Sequence, residues 1–112
     1  MVAPTAGAVV LVRFPFSDLS QTKLRPAVVL ASAGRGDWIL CQVTSNPYGD
    51  SRAIKLEDVS FATGSLRVTS YARAGKLFSA NRALIVAQVA ALKPEWLAQI
   101  VDAVVNLLRS AR

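Results

Sequence analysis

The chain has 112 residues, of which 53% are hydrophobic and only 18% charged, so its composition excludes intrinsic disorder and favours one domain over residues 1–112. Thirteen Lys and Arg against seven Asp and Glu give a net charge of +6, which favours a polyanionic partner. Histidine is absent and Cys41 is the single cysteine, so a zinc site and imidazole catalysis are both excluded.

The first half of the chain predicts β-strands separated by turns. Apolar, β-branched runs cover residues 8–14, 27–33 and 38–43. Pro26 opens the second run, a position where a strand needs no N–H donor. The glycine-containing turn 34–37 predicts a hairpin between the second and third runs, whose lack of alternation indicates burial on both faces. The polar segment 15–25 is predicted to be a long exposed loop.

The middle of the chain predicts shorter elements. A short strand over 53–56 is followed by one helical turn over 57–61, which residues 62–64 close. A further strand over 68–79 is expected to break near Gly75, and a turn follows at residues 81–82. The apolar pattern of residues 84–92 does not distinguish a strand from a helix.

The C-terminal segment predicts a helix that begins at Pro94-Glu95, because proline and a carboxylate both suit a first helical turn. Its polar residues recur every three or four positions and form one stripe: Glu95, Gln99, Asp102, Asn106 and Arg109. The remaining apolar face is wider than packing on one small sheet requires, which favours a homodimer. Several strands followed by one helix predict a mostly β fold, a small barrel with a C-terminal α-helix.

The cellular setting also follows from the sequence. A single cysteine permits no internal disulfide and suits the reducing cytoplasm. The first residues show no basic segment followed by an apolar one, and no apolar stretch is long enough to cross a membrane. We therefore expect a cytoplasmic protein without a membrane partner.

The residues available for catalysis restrict the chemistry. The seven carboxylates are dispersed along the sequence, so we expect no metal site, and no phosphate-binding glycine motif indicates a cofactor. Arginine, lysine and hydroxyl side chains suit one reaction in particular, the cleavage of RNA by its own 2′-hydroxyl. In that reaction the protein orients the substrate, moves protons and stabilises charge on the phosphate, for which a guanidinium is well shaped.

Three short motifs resemble the MazF/PemK family of toxins from type II toxin–antitoxin systems. Residues 7–20 (GAVVLVRFPFSDLS) are similar to the first strand and polar loop of that family, and Arg25-Pro26 precedes an apolar strand as it does there. The next strand ends in Cys41-Gln42-Val43-Thr44-Ser45, which is similar to the family's strand that ends in a hydroxyl residue. The resemblance extends over nearly the whole chain.

The resemblance implies a dimeric SH3-like β-barrel that cuts single-stranded RNA, such as mRNA, in a sequence-specific manner without a metal or another cofactor. It implies that Arg25 and Thr44 are the catalytic pair and that a separately encoded cognate antitoxin blocks the RNA groove. The residues agree independently, because Pro26 biases Arg25 towards an extended backbone at a loop–strand junction. Ser45 is the alternative source of the catalytic hydroxyl.

Further residues are candidates for binding RNA. Lys23, Arg73 and Lys76 are basic residues predicted near the groove, and Phe16 and Tyr48 lie in loops where an aromatic ring can stack on an unpaired base. The first loop lacks the glycines of some family members, and Lys76 stands where some carry glutamine. The sequence preference for cleavage is therefore not predicted.

Two other functions are compatible with the same fold. A non-catalytic RNA-binding barrel retains the basic charge but produces no RNA fragments. A gyrase-targeting toxin of the CcdB type shares the barrel, but members of that group resemble one another in a C-terminal Trp-Gly-Ile, whereas this chain ends in Arg-Ser-Ala-Arg. Incubation with a long RNA distinguishes the nuclease from both alternatives.

Overall fold

A computed structural model describes residues 4–15 and 22–110, which form an antiparallel sheet with one α-helix packed on it. The strands are β1 Ala8–Pro15, β2 Thr22–Gly34, β3 Asp37–Thr44, β4 Ala53–Leu56, β5 Phe61–Gly64, β6 Ser70–Asn81 and β7 Ile85–Leu92; the helix is α1 Pro94–Arg109. Their order in the sheet is β4–β6–β3–β2–β1–β7–β5. This confirms the mostly β fold with a C-terminal helix. Within the described residues no ladder joins edge strands β4 and β5, so the barrel stays open.

The sheet is buried on both faces. Three consecutive residues of β2, namely Ala27, Val28 and Val29, are each at most 1% exposed, although neighbouring strand residues point to opposite faces. One core cluster contains Val28 together with Ile100 of α1, and the other contains Ala27 and Val29 together with Leu40. The absence of alternation in this hairpin therefore predicted its environment correctly.

The β1–β2 hairpin is longer than the sequence predicts. Its ladder extends to the pair Pro15 and Thr22, so Pro15 and residues 22–25 of the expected loop 15–25 are strand, and Phe16 lies outside the described residues. The polar residues of this stretch resemble a loop in sequence because that end of the hairpin is exposed: Lys23 and Leu24 both face solvent. Pro26 does not open β2. It stands next to Ala27, where the pairing of β2 with β3 begins.

A large bulge interrupts β6 near Gly75. Cys41 of β3 pairs with Leu77, and Val43 pairs with Ala72, so a two-residue step in β3 faces a five-residue step in β6. The expected break near Gly75 is therefore a change of register within a continuous strand rather than a gap between two strands. The bulge re-aims the side chains between the two pairs, which include Arg73.

The connection between the two edge strands contains one turn of 3₁₀ helix at Asp58–Ser60, as predicted for residues 57–61. The following residues were expected to close that turn, but they belong to β5, which pairs with β7. Phe61 is 8% exposed and pairs with Leu92, so burial of this ring accompanies the strand conformation of the small residues that follow it.

The C-terminal part of the chain agrees with the predicted helix and settles the ambiguous segment before it. Residues 82–84 form a short 3₁₀ turn, after which β7 inserts between β1 and β5. The helix α1 begins at Pro94, with Glu95 in its first turn and Arg109 in its last, a charge distribution that complements the helix dipole. No helix among the described residues is long and apolar enough to cross a membrane.

Candidate functional site

A cleft opens where β2 and β3 separate. Their ladder ends at the pair Ala27 and Gln42, beyond which β2 continues against β1 and β3 continues against β6. Pro26 has no N–H and cannot complete a ladder bond at this point. Extending the β2–β3 register by two residues places Arg25 opposite Thr44. The two predicted catalytic residues, Arg25 within β2 and Thr44 at the end of β3, therefore line the same opening.

We call this opening the basic cleft. It has a volume of about 360 Å³, and its polar lining consists of Lys23, Arg25, Thr44, Ser45 and Ser70. Its apolar lining includes Val43 and the side chains Leu66 and Val68, which come from the segment between β5 and β6. No carboxylate lines it within the described part of the chain. Four residues singled out from the sequence thus lie around one basic opening.

Arg25 is held in place by its backbone. It lies in the β1–β2 ladder opposite Val12, a residue only 1% exposed, and the following proline restricts it to extended conformations. Its side chain is partly buried and lines the cleft. The backbone that carries this guanidinium therefore belongs to a strand and not to a loop, and a guanidinium has several N–H donors that suit a phosphate.

The two candidate hydroxyls differ in how they are held. The Oγ1 atom of Thr44 accepts a hydrogen bond from the backbone N–H of Asn46 at 3.2 Å, and Thr44 is itself paired with Tyr71 of β6. That bond uses an acceptor lone pair, so the hydroxyl keeps its proton for donation. Ser45 follows the strand and is exposed. The geometry therefore favours Thr44 as the better oriented hydroxyl.

A second opening, the acidic cleft, lies beside the first and shares Val68 with it. It has a volume of about 340 Å³, and its charged lining is Glu57, Asp58 and Arg67. The carboxylates of Glu57 and Asp58 outnumber the single guanidinium. The two neighbouring clefts are thus similar in size, but the lining of the basic cleft has a net positive charge and that of the acidic cleft a net negative charge.

The other candidates for RNA binding lie elsewhere. Tyr48 and Arg73 line neither cleft, but the guanidinium carbon of Arg73 lies 5.5 Å from the centroid of the Tyr48 ring. The Nε atom of Arg73 also donates to Oδ2 of Asp50 at 3.1 Å. Lys76 is exposed on β6 and lines neither cleft. Phe16 lies outside the described residues.

The sequence did not single out several residues that complete these sites. Ser70 is 4% exposed, and its Oγ donates to the carbonyl of Val68 at 3.0 Å, which fixes one end of the segment across the basic cleft. Asp50 fixes Arg73 from a position 23 residues earlier. The roles of the Ser70 hydroxyl and the Asp50 carboxylate cannot be recognised from the neighbouring sequence, because the surroundings that give them these roles form only in the folded chain.

Neither the single cysteine nor the carboxylates of the described residues form a further site for catalysis or metal binding. Burial raises the pKa of the Cys41 thiol to about 12, and its Sγ donates to the carbonyl of Arg73 at 3.0 Å. The thiol is therefore a neutral core group at neutral pH. Across residues 4–15 and 22–110, no three His, Cys, Asp or Glu side chains are grouped as metal ligands would be.

Comparison with known proteins identifies relatives over almost the full length. A family model described as a PemK-like, MazF-like toxin of type II toxin–antitoxin system matches residues 5–108. No curated protein sequence matches the chain significantly.

Solved structures share the fold. A MazE–MazF complex from Deinococcus radiodurans is 25% identical with a TM-score of 0.80, and the match covers 99% of this chain and 100% of that one. MazF from the same organism is 27% identical with a TM-score of 0.75, covering 97% and 99% of the two chains. An endoribonuclease in complex with its cognate antitoxin from a mycobacterial species has a TM-score of 0.73 over 97% and 96% of the chains; at 13% identity, it is similar in fold alone.

Proposed function

The chain belongs to the PemK-like, MazF-like toxin family of type II toxin–antitoxin systems, and from that premise we propose that it is a sequence-specific endoribonuclease. Its substrate is single-stranded RNA, such as mRNA, and its active site is the basic cleft. The observation that carries this proposal is the placement of Arg25 of β2 and Thr44 of β3 in one cleft that also contains Lys23. These groups recognise a phosphate and supply hydrogen bonds to it.

The reaction uses the substrate's own nucleophile. The 2′-oxygen forms a bond to phosphorus while the bond from phosphorus to the 5′-oxygen breaks; the 2′-hydroxyl loses its proton, and the leaving oxygen gains one. Arg25 stabilises the negative charge that develops on the phosphate oxygens, and the Thr44 hydroxyl donates a further hydrogen bond. The products are a 2′,3′-cyclic phosphate and a 5′-hydroxyl.

Metal independence is part of the proposal. The chain contains no histidine, and its seven carboxylates are spread over the sequence. Glu57 and Asp58 line the neighbouring cleft and not the basic one. Lys23 and Arg25 therefore supply the positive charge that a metal ion supplies in other nucleases.

Two protein partners complete the proposal. Among the similar structures are MazE–MazF complexes, and we infer that a separately encoded cognate antitoxin covers the basic cleft of this toxin as well. The second partner is another copy of the chain. Leu108 is 65% exposed and Val101 is 39% exposed, two turns apart on one face of α1, which supports a homodimer. The cytoplasm as the site of action is part of the same proposal.

The decisive experiment incubates the purified protein with a long RNA in excess EDTA. We expect discrete fragments whose ends are a 2′,3′-cyclic phosphate and a 5′-hydroxyl, and no cleavage at a nucleotide with a 2′-O-methyl group. Activity that chelator abolishes and magnesium restores would contradict the mechanism. Binding without fragments would identify the non-catalytic alternative.

A further inference from the structure

The turn after β3 places an aromatic residue in an unfavourable backbone conformation. The N–H of Asp50 donates to the carbonyl of Pro47 at 2.9 Å, and the two central residues, Tyr48 and Gly49, have φ angles of 53° and 72°. Positive φ at both central positions is typical of a type I′ turn, in which Asn-Gly is preferred. A bulky side chain is rare in this region of backbone space. Turn formation therefore does not explain the tyrosine.

Core packing does not explain it either. Tyr48 is 68% exposed, so its ring contributes little buried surface to the fold. A large aromatic side chain that is exposed in a costly conformation points to a role at the surface.

Arg73 covers one face of the ring and is itself fixed. Its guanidinium lies 5.5 Å from the ring centroid, and its Nε donates to Oδ2 of Asp50 at 3.1 Å. The other carboxylate oxygen of Asp50 accepts from the backbone N–H of Arg52 at 2.9 Å. The side chains of Arg73 and Asp50 are only 21% and 17% exposed, so this support is largely buried. We call Tyr48 and its buried support the tyrosine platform.

The platform is connected to the basic cleft by two consecutive hydrogen-bonded turns. Oγ1 of Thr44 accepts from the N–H of Asn46 at 3.2 Å, and Oδ1 of Asn46 accepts from the N–H of Tyr48 at 2.9 Å. Tyr48 follows Thr44 by four positions, so their Cα atoms are at most about 14 Å apart. The turns that orient the cleft hydroxyl therefore also fix the position of the ring.

We propose that the outer face of the Tyr48 ring stacks on one unpaired base of the RNA, close to the nucleotide held in the basic cleft. This inference rests on the proposed function and adds a base subsite to it. Every base offers a π-face to an aromatic ring, and a ring that is immobilised before binding loses little freedom when it stacks. The ring thus selects single-stranded RNA, because paired bases do not expose their faces.

The test compares Tyr48→Asn with Tyr48→Phe. Asparagine suits the positive φ and removes the ring, so the thermal melting temperature should stay equal or rise. Affinity is measured with short single-stranded RNAs of mixed sequence whose sugars are all 2′-O-methyl, which bind but cannot be cut. We expect Tyr48→Asn to weaken binding about five- to a hundredfold, and Tyr48→Phe to restore it to within about threefold.

An abasic scan locates the stacked base. Bases are removed one at a time from the RNA, and each affinity is measured with the wild type and with Tyr48→Asn. One abasic position should weaken binding to the wild type but not to Tyr48→Asn, since the two changes remove the same contact. Wild-type affinity in Tyr48→Asn would overturn the inference, even if that variant bound the antitoxin less tightly. The proposed function fails separately, if wild-type protein binds these RNAs but cuts no unmodified RNA.

Discussion

The basic and acidic clefts are neighbours of nearly equal volume, about 360 and 340 Å³, yet they are suited to different ligands. The first presents Lys23 and Arg25 beside three hydroxyl residues, and the second presents Glu57 and Asp58 with Arg67. A polyanion is attracted by the charges of the basic cleft and repelled by the excess negative charge of the acidic cleft. Val68 lines both clefts, so the net charge of the lining is positive on one side of this residue and negative on the other.

The difference between the clefts arises from how each is built. The basic cleft forms where two strands of the sheet separate, and its catalytic candidates belong to β2 and β3, which continue into the core. The acidic cleft forms around a 3₁₀ turn and the segment that joins β5 to β6. Groups on strands are positioned more rigidly than groups on connecting segments, and rigid positioning is what transition-state stabilisation requires. Cleft volume alone does not identify the active site.

The largest contrast between two neighbouring residues is expected for the adjacent hydroxyls of Thr44 and Ser45 in the basic cleft. Thr44→Ala should lower the single-turnover rate of RNA cleavage by about ten- to a hundredfold, because it removes an oriented hydrogen bond to a charged group. Ser45→Ala should change the rate by less than about threefold, since that hydroxyl is exposed and outside the ladder. Equal losses in both variants would assign the hydroxyl role to neither residue.

A smaller contrast separates the charges of the two clefts. Lys23→Ala should weaken RNA binding and reduce the slope of log affinity against log salt by about one unit, because one phosphate contact is lost. Arg67→Ala, which removes the guanidinium of the acidic cleft, should leave that slope unchanged. Binding titrations of both variants over a range of salt concentrations measure the difference. The reverse result would place the RNA backbone in the acidic cleft.

The smallest effect is expected for the stability of the fold and concerns Asp50, which lines neither cleft. The backbone N–H of Arg52, and then the side chain of Arg73, hold the pKa of Asp50 below its usual value of 3.8. Because this carboxylate is more acidic in the folded state, its contribution to stability is complete above that value and is lost as the pH falls through the lowered pKa.

Asp50→Asn tests this ion pair directly. The variant should lower the free energy of unfolding by about 1–3 kcal/mol at neutral pH. The difference in the free energy of unfolding between wild type and variant should become smaller at pH values below the usual carboxyl pKa. Denaturant titrations at neutral and acidic pH check both statements, and a difference that does not depend on pH would show that the charge of Asp50 is not involved.

Much of the fold follows from local sequence. The β-branched runs and the glycines of the turn 34–37 predicted the β2–β3 hairpin, and Pro94-Glu95 predicted the start of α1. The errors fall where long-range pairing outweighs local composition. Thr22 to Arg25 appear loop-like but pair with β1, and residues 62–64 become strand because β7 pairs with them.

The candidate site divides in the same way. Arg25 and Thr44, with Ser45 as the alternative hydroxyl, were predicted from the resemblance of two local motifs to the family, and Lys23 from its charge near the expected groove. Ser70, Leu66 and Val68 reach the cleft only because the segment after β5 crosses it. Arg73 lies beside the bulge in β6; Gly75 indicated a break there, but no local pattern indicated that Arg73 would contact Tyr48.

The most direct test of the central claim is the single-turnover cleavage rate of Arg25→Ala at saturating RNA. An arginine that binds the transition state more tightly than the ground state affects rate more than affinity. Loss of one such donor costs roughly 3–4 kcal/mol, so the rate should fall on the order of a hundred- to a thousandfold, with RNA still bound and the fold intact. Arg25→Lys should be nearly as slow, because an ammonium lacks the planar fork. A wild-type rate in Arg25→Ala would contradict the assignment of the basic cleft as the active site.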